Sequence, residues 1–280
     1  MPELPEVETV RLGLNQFTSA YTPQITDGAV LLETTIGSGE FFLDHLRGQY
    51  LQCWHRRGKY LLCSLSGGGY LGVHLRMTGR LLWLVRSQPV GIHTRVRLFL
   101  DRDWELRFDD QRTFGKMWYV PQGVVVSAVI KGLARMGAEP LAEEFTPEYL
   151  AQKVKNSGRS IKTLLLDQRV VAGIGNIYAD EALFLAHIHP CTLGKNLTMA
   201  QITSLHGSIV SVLTTGLEYG GTTFSNFQDV NGKQGNYLDR AWVFRRTGQS
   251  CRLCGTKIAR LKIGGRSSHY CPRCQPSTEG

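Results

Sequence analysis

Four cysteines near the C-terminus are spaced to bind a metal, as Cys251-x2-Cys254-x16-Cys271-x2-Cys274. Two pairs of thiolates separated in this way close a tetrahedron around zinc. Four thiolates leave that ion no open position for catalysis, so a single structural Zn2+ is expected. The intervening residues support the assignment. Lys257–Ile263 has strand character, Gly264-Gly265 suits a tight turn, and Arg266–Tyr270 returns. The pattern predicts a zinc-ribbon hairpin with Arg266 at or just after its tip. His269 is a fifth candidate ligand that four cysteines make unnecessary. Cys53, Cys63 and Cys191 are scattered and read as buried, reduced thiols. Disulfides are the alternative, and they fit poorly in a chain that otherwise does not look secreted.

The charge points to what this element would touch. Lys and Arg total 32 against 23 Asp and Glu, a net charge of +9. Nine of the basic residues lie between Arg240 and Cys274 with no acid among them, so the rest of the chain is balanced and the excess sits in the cysteine segment. A basic run interleaved with apolar residues should be folded, and a folded basic surface reads as a binder of phosphate backbones. At 280 residues and 42% hydrophobic the chain can bury two cores, which excludes disordered and fibrous classes. No apolar run is long enough for a bilayer, and MPELPEVETV is not an apolar signal segment, so a soluble, unsecreted, cytoplasmic protein is expected.

The elements that would carry these residues change character along the chain. Residues 5 to 14 predict a helix with Val7, Val10 and Leu14 on one face and Glu6 and Glu8 near its positive end. From about 25 to 120 the texture is β, with strands at Tyr60–Leu65, Arg80–Val85, Arg95–Leu100 and Trp104–Phe108, which implies a sandwich or barrel. Beyond about residue 132 it is helical. Thr146-Pro147 opens one helix, Thr198 with Gln201 forms a capping box for another over 202 to 213, and two helical stretches flank Gly173-Ile-Gly-Asn176. A helix N-terminus preceded by glycine offers backbone N–H groups to a phosphate, although helix-turn-helix connections are common in all-helical proteins.

Pro2-Glu-Leu-Pro-Glu-Val-Glu8, His74-Leu-Arg-Met-Thr-Gly79, Asp110-Gln-Arg-Thr-Phe-Gly115, Gly173-Ile-Gly-Asn-Ile-Tyr178 and the cysteine finger with Gly265-Arg266 occur in one order. Together they resemble the bacterial formamidopyrimidine-DNA glycosylase family of 8-oxoguanine DNA glycosylase/AP lyases, from Pro2 to Cys274. The resemblance implies a multidomain α+β fold. An N-terminal two-layer β-sandwich with flanking helices spans 1–132, and a helix–two-turn–helix domain with a lesion-capping loop spans 133–239. The zinc-ribbon β-hairpin spans 240–276.

The resemblance also implies a bifunctional repair enzyme acting on damaged double-stranded DNA as a monomer, with no protein partner. It assigns Pro2 as nucleophile. Once Met1 is trimmed, Pro2 is a free secondary amine, with an α-amino pKa of roughly 8 against about 10.4 for lysine. Attack at C1′ leaves an iminium that acidifies the C2′ proton and permits strand scission. Without the resemblance, Pro2 and Pro5 simply start a helix. Glu3 is assigned as general acid/base, Lys59 as a phosphate contact and proton donor in β-elimination, and Arg266 as a phosphate contact tied to δ-elimination. A first-turn carboxylate, a solvent-exposed edge-strand lysine and a surface arginine are their ordinary readings. Extruding a nucleotide leaves a gap, which Met77, Arg112 and Phe114 match the family in filling, with Arg112 reaching the orphaned cytosine. His74, His93, Arg159 and Asn176 match DNA contacts, while Lys162 and Glu181 match motif positions with a supporting role.

Two residues depart from the family. Phe244 replaces a tyrosine in the Tyr-Gly-Arg run that often precedes the finger, and Thr78 stands where some relatives carry a glutamate near the flipped base. The lesion-capping loop is expected within 220–235. An endonuclease VIII-like enzyme preferring oxidised pyrimidines is one alternative. A non-catalytic zinc-ribbon DNA-binding protein is the other, and it leaves Pro2-Glu3 and Lys59 without purpose.

Overall fold

Val7, Val10 and Leu14 recur at helical spacing, and in the computed structural model they form the buried face of α1 (Leu4–Ala20). The structure describes residues 1–37, 42–222 and 235–277. Glu3 is the N-cap of α1, Pro5 lies in its first turn, and the Glu6 carboxylate accepts the Glu3 N–H at 2.7 Å. That contact satisfies one of the donors a helix start leaves without a partner. The helix outruns its predicted end because Phe17 and Thr18 continue onto the core.

Two four-stranded antiparallel sheets take up the rest of this region. Their strands are β1 (Ile25–Val30), β2 (Leu51–Arg57), β3 (Tyr60–Leu65), β4 (Tyr70–His74), β5 (Gly79–Val85), β6 (Thr94–Leu100), β7 (Trp104–Asp110) and β8 (Lys116–Val120). One sheet has the order β1-β6-β7-β5 and the other β2-β3-β4-β8. Val96, Leu98 and Leu100 of β6 alternate inward, as do Leu106 and Phe108 of β7. They meet Trp54, Leu61, Cys63 and Val73 of the other sheet in one core with α1. The expected sandwich is therefore observed. Short helices α2 (Phe42–Leu46) and α3 (Val126–Val129) flank it.

The helical region contains α4 (Pro147–Val154), α5 (Ile161–Leu166), α6 (Asn176–Leu185) and α7 (Met199–Glu218). The Thr146 hydroxyl accepts the Tyr149 N–H at 3.1 Å, and the Thr198–Gln201 capping box is formed. β9 (Ala259–Ile263) and β10 (Arg266–Tyr270) make the C-terminal hairpin, with Arg266 opposite Ile263 and both turn glycines at positive φ. Phe184 of α6 packs with Val243, Ile258 and two of the finger cysteines, so finger and helices share a core.

By compactness the chain divides into two units, Met1–Ala134 with Gly220–Gly235 and Arg135–Tyr219 with Asn236–Gly280. The hairpin and the helices thus belong to one unit. Among the described residues, no helix is long and apolar enough to cross a membrane.

Glu181 on α6 explains how the segment leading into the finger is held. Its fully buried carboxylate accepts the N–H groups of Trp242, Val243 and Phe244 at 2.7–2.9 Å. Burial raises its pKa, and the three donors act against that shift. Glu181→Ala leaves those donors buried without an acceptor, a loss of roughly 3 kcal/mol. Urea unfolding followed by tryptophan fluorescence should show a lower midpoint, and an unchanged midpoint would contradict this role.

Candidate active site and metal centre

The four cysteines converge. Their sulfurs lie within 4.8 Å of one another. Cys251 and Cys274 Sγ are 3.9 Å apart, Cys254 and Cys271 3.4 Å, and Cys254 and Cys274 3.5 Å. Zinc–thiolate bonds of about 2.3 Å place tetrahedral sulfurs about 3.8 Å apart, so the set fits one zinc ion. His269 takes no part in this cluster, and of the three scattered cysteines expected to be buried only Cys63 is, Cys53 and Cys191 being exposed. The His269 N–H and Nδ1 both meet Asp180 Oδ2, at 3.0 and 2.9 Å. Lys162, also buried, places Nζ 2.6 Å from Asp180 Oδ1 and 2.8 Å from the Asn176 carbonyl. The buried group Lys162–Asp180–His269 therefore joins α5, α6 and β10. Phe244 is buried with its ring edge-on to His269 at 5.0 Å, so at this position the side chain packs.

Asn176 opens α6 and donates Nδ2–H to the Ser267 carbonyl at 2.8 Å, on the strand that begins with exposed Arg266. The turn before α6 is clasped by Gln168, whose Oε1 accepts the Gly173 N–H at 2.9 Å while Nε2 donates to the Ile174 carbonyl at 2.8 Å. Arg159 is exposed and paired with Asp167 at 2.9 Å. Arg169 and Arg159 together hold the Asp167 carboxyl far below the usual carboxylate range.

In the sandwich unit, Pro2 and Glu3 are buried at the start of α1. α1 runs along β2: Asn15 Nδ2 donates to the Trp54 carbonyl at 2.9 Å, and Glu8 Oε2 accepts from Arg56 Nε at 2.9 Å. This direction carries the helix N-terminus toward the Gly58-Lys59 turn that joins β2 to β3. Lys59 is only 5% exposed, so the ordinary reading of a solvent-facing edge lysine is wrong here. Glu6, read from sequence as a first-turn carboxylate, is buried and accepts both the N–H and hydroxyl of Thr222, at 2.6 and 2.9 Å. The remainder of the expected lesion-capping loop, 223–234, lies outside the described residues.

Met77, Arg112 and Phe114 are exposed on two loops, with the Arg112 guanidinium 4.9 Å over the Phe114 ring. His93 is half-buried, and its carbonyl accepts the Asp110 N–H at 2.8 Å. His74 faces inward. It lies edge-on to Tyr60 at 4.4 Å, and its Nδ1 accepts the Arg76 N–H at 2.9 Å.

Three regions match family models. Residues 1–117 match the formamidopyrimidine-DNA glycosylase N-terminal domain, residues 136–228 the H2TH domain of the same glycosylases, and residues 248–276 a zinc finger found in FPG and IleRS. A formamidopyrimidine-DNA glycosylase of Trichormus variabilis is 55% identical over 278 residues, covering 98% of this chain and 100% of the relative. Among solved structures, a complex between the Lactococcus lactis FPG (MutM) and a Fapy-dG-containing DNA aligns at TM-score 0.90 and 33% identity. It covers 98% of this chain and all of that one. The wild-type Lactococcus lactis FPG (MutM) bound to DNA containing an oxidised pyrimidine aligns at TM-score 0.91 and 33% identity, over 99% and 100% of the two chains. The chain belongs to the formamidopyrimidine-DNA glycosylase family and is an enzyme of that class. Its zinc finger holds one structural zinc ion.

Burial, with Arg76 and Lys59 nearby, depresses the His74 pKa from 6.5 to about 3. A base whose folded pKa is lowered takes up a proton more readily when unfolded. Its stability cost is absent above pH 6.5 and grows as pH falls toward the folded pKa. His74→Asn keeps an acceptor for Arg76 and removes the titration. The stability of wild type relative to this variant should fall by about 2 kcal/mol between pH 7.5 and pH 5. A pH-independent difference would contradict a neutral, buried His74.

Proposed function

We propose that this chain is a bifunctional glycosylase/lyase of base excision repair, acting on damaged double-stranded DNA. It excises oxidised purines, chiefly 8-oxoguanine opposite cytosine and formamidopyrimidines. The carrying observation is the burial of Pro2 and Glu3 at the head of α1, on the helix that runs toward the buried Lys59 turn. Removal of Met1 frees the Pro2 nitrogen as a secondary amine. A secondary α-amine has a pKa of roughly 8, well below that of lysine, and so offers a nucleophilic neutral form for attack on C1′. Glu3 handles the proton as the base departs and the sugar opens. The resulting iminium draws electrons from C2′, so loss of the C2′ proton expels the 3′-phosphate in β-elimination, and a second elimination at the 5′ side completes scission. Lys59 supports the phosphate and the proton transfer.

The helical unit supplies the remaining grip. The N-terminus of α6 beyond the Gly173–Gly175 turn offers backbone N–H groups, and Asn176, Arg159 and Arg266 add side-chain contacts to the phosphates. Arg266, at the hairpin turn, also serves δ-elimination. Met77 and Phe114 enter the stack when the damaged nucleotide leaves it, and Arg112 meets the orphaned cytosine. His93 contacts the adjacent DNA backbone, and His74, matched by the resemblance to a DNA contact but buried here, acts on the DNA through the Met77 loop, whose Arg76 N–H it accepts. Functionally the chain divides at 1–132, 133–239 and 240–276, and it works as a monomer in the cytoplasm without a protein partner.

One observation favours a second reading. The Lactococcus lactis relative was captured on an oxidised pyrimidine, so the pyrimidine branch is a real competitor. Duplexes carrying 8-oxoguanine opposite cytosine, or an oxidised pyrimidine, separate the two under single-turnover conditions. The expected outcome is faster excision of the purine, with borohydride trapping weakened in Pro2→Gly, whose N-terminus is a primary amine, and abolished when Met1 is retained and the Pro2 nitrogen is an amide. Faster excision of the pyrimidine would assign the other branch, and undiminished trapping by protein that retains Met1 would remove Pro2 from the mechanism.

A further inference from the structure

Asp110 closes β7 and is 1% exposed, and its polar atoms serve three separate segments. Oδ1 accepts the Thr78 hydroxyl at 2.5 Å and the Arg112 N–H at 3.2 Å, while Oδ2 accepts the Gly115 N–H at 2.7 Å. The Thr78 oxygen also accepts the Arg112 N–H, at 2.9 Å. On the main chain, the Asp110 N–H reaches the His93 carbonyl at 2.8 Å, and the Asp110 carbonyl accepts Arg95 Nε at 2.8 Å. One residue thus carries the roots of the Met77 loop, the Arg112–Phe114 loop and the His93 turn.

The backbone around this carboxylate needs such anchoring. Arg76 and Thr113, one in each exposed loop, have φ of 53° and 58°, a left-handed conformation that side-chain-bearing residues rarely hold unless their surroundings enforce it. The flanking glycines are forced by close approach. A Cβ on Gly79 would sit 2.3 Å from the Leu75 carbonyl oxygen, and one on Gly115 would sit 2.4 Å from the Phe108 ring. Against this tight base, Met77 and Phe114 are 37% and 49% exposed. Large apolar side chains standing in water on a strained, cross-linked base are prepared to enter an apolar gap without further ordering.

We propose that Asp110 and the Thr78 hydroxyl are the positioning residues of the unstacking wedge, locking the Met77 and Arg112–Phe114 loops into one rigid unit. The proposal rests on the wedge role of Met77, Arg112 and Phe114 under the proposed function. It also gives Thr78 a function at its position: the threonine hydroxyl faces the loop base. Thr78→Val keeps the shape and removes the hydroxyl, Thr78→Ser retains the hydroxyl, and Asp110→Asn puts an amide NH2 where a donor must be accepted.

The test compares two substrates. Base excision from duplex 8-oxoguanine DNA requires the wedge, whereas borohydride trapping on a single-stranded abasic oligonucleotide has no stack to open. Thr78→Val should slow single-turnover duplex excision at least tenfold while trapping on the single strand stays within twofold. Thr78→Ser should recover most of the duplex rate, and Asp110→Asn should resemble Thr78→Val or exceed it. Met77→Ala and Phe114→Ala are measured beside them. If those two are slow on duplex and Thr78→Val is not, the positioning role is wrong and the wedge stands. Equal loss by Thr78→Val on both substrates would mean general disruption and would likewise overturn it. If Met77→Ala and Phe114→Ala excise at the wild-type rate, the wedge reading fails and this inference falls with it, leaving the Pro2 chemistry unaffected.

Discussion

A carboxylate removed from water must find donors inside the protein, and in this chain the donors come from segments far apart in sequence. Glu6 gathers the start of α1 and Thr222; Asp110 gathers the loops at 78, 112 and 115; Asp180 gathers Lys162 and His269; Glu181 gathers the run from Trp242 to Phe244. Each acid sits on a helix or at the end of a strand, so a regular element fixes the acceptor and segments remote in the fold are brought to it. Removing any one strands several buried donors at once. Such sites are for that reason stiff, as loops that must hold functional groups need to be.

The arrangement separates two demands on the molecule. The sandwich core of Trp54, Leu61, Val96 and Phe108 supplies stability without touching the chemistry. The polar anchors Glu6 and Asp110 fix the start of α1 and the loops that carry the exposed Met77 and Phe114. In the helical unit, zinc does for the finger what the core does for the sandwich. Four thiolates around one ion replace an interior that a hairpin of two five-residue strands cannot build. Arg266 can then stand exposed beside the glycine turn while His269, three residues on, is buried against Asp180.

Much of this is legible in the sequence wherever a local rule governs. The cysteine spacing, the Gly264-Gly265 turn, the caps at Thr146 and Thr198 and the alternation of Val96, Leu98 and Leu100 each express short-range geometry, and each appears in the fold. The strand at Ile25–Val30 is not legible, because Asp27 and Gly28 lack β-character and the strand lies at a sheet edge. β2 is hidden by its His55-Arg-Arg57 run, whose charges are held by partners such as Glu8. Asp110 stands in a recognisable motif, but its role depends on Thr78, thirty-two positions away. Nothing local announces that pairing, although an aspartate just before a short glycine-ended loop is a recognised signal for side-chain capping of a turn. Lys59 looks like a surface residue from its place in a turn between two strands, because its burial is a tertiary property.

The amine at the head of α1 is the nucleophile in the proposed chemistry. Mass spectrometry of the borohydride-reduced complex, after digestion of protein and DNA, measures this directly. A Pro2 nucleophile leaves the sugar remnant on the nitrogen of Pro2, in a peptide lacking Met1. A remnant on Lys59 or any other lysine, or an adducted peptide that retains Met1, would contradict it.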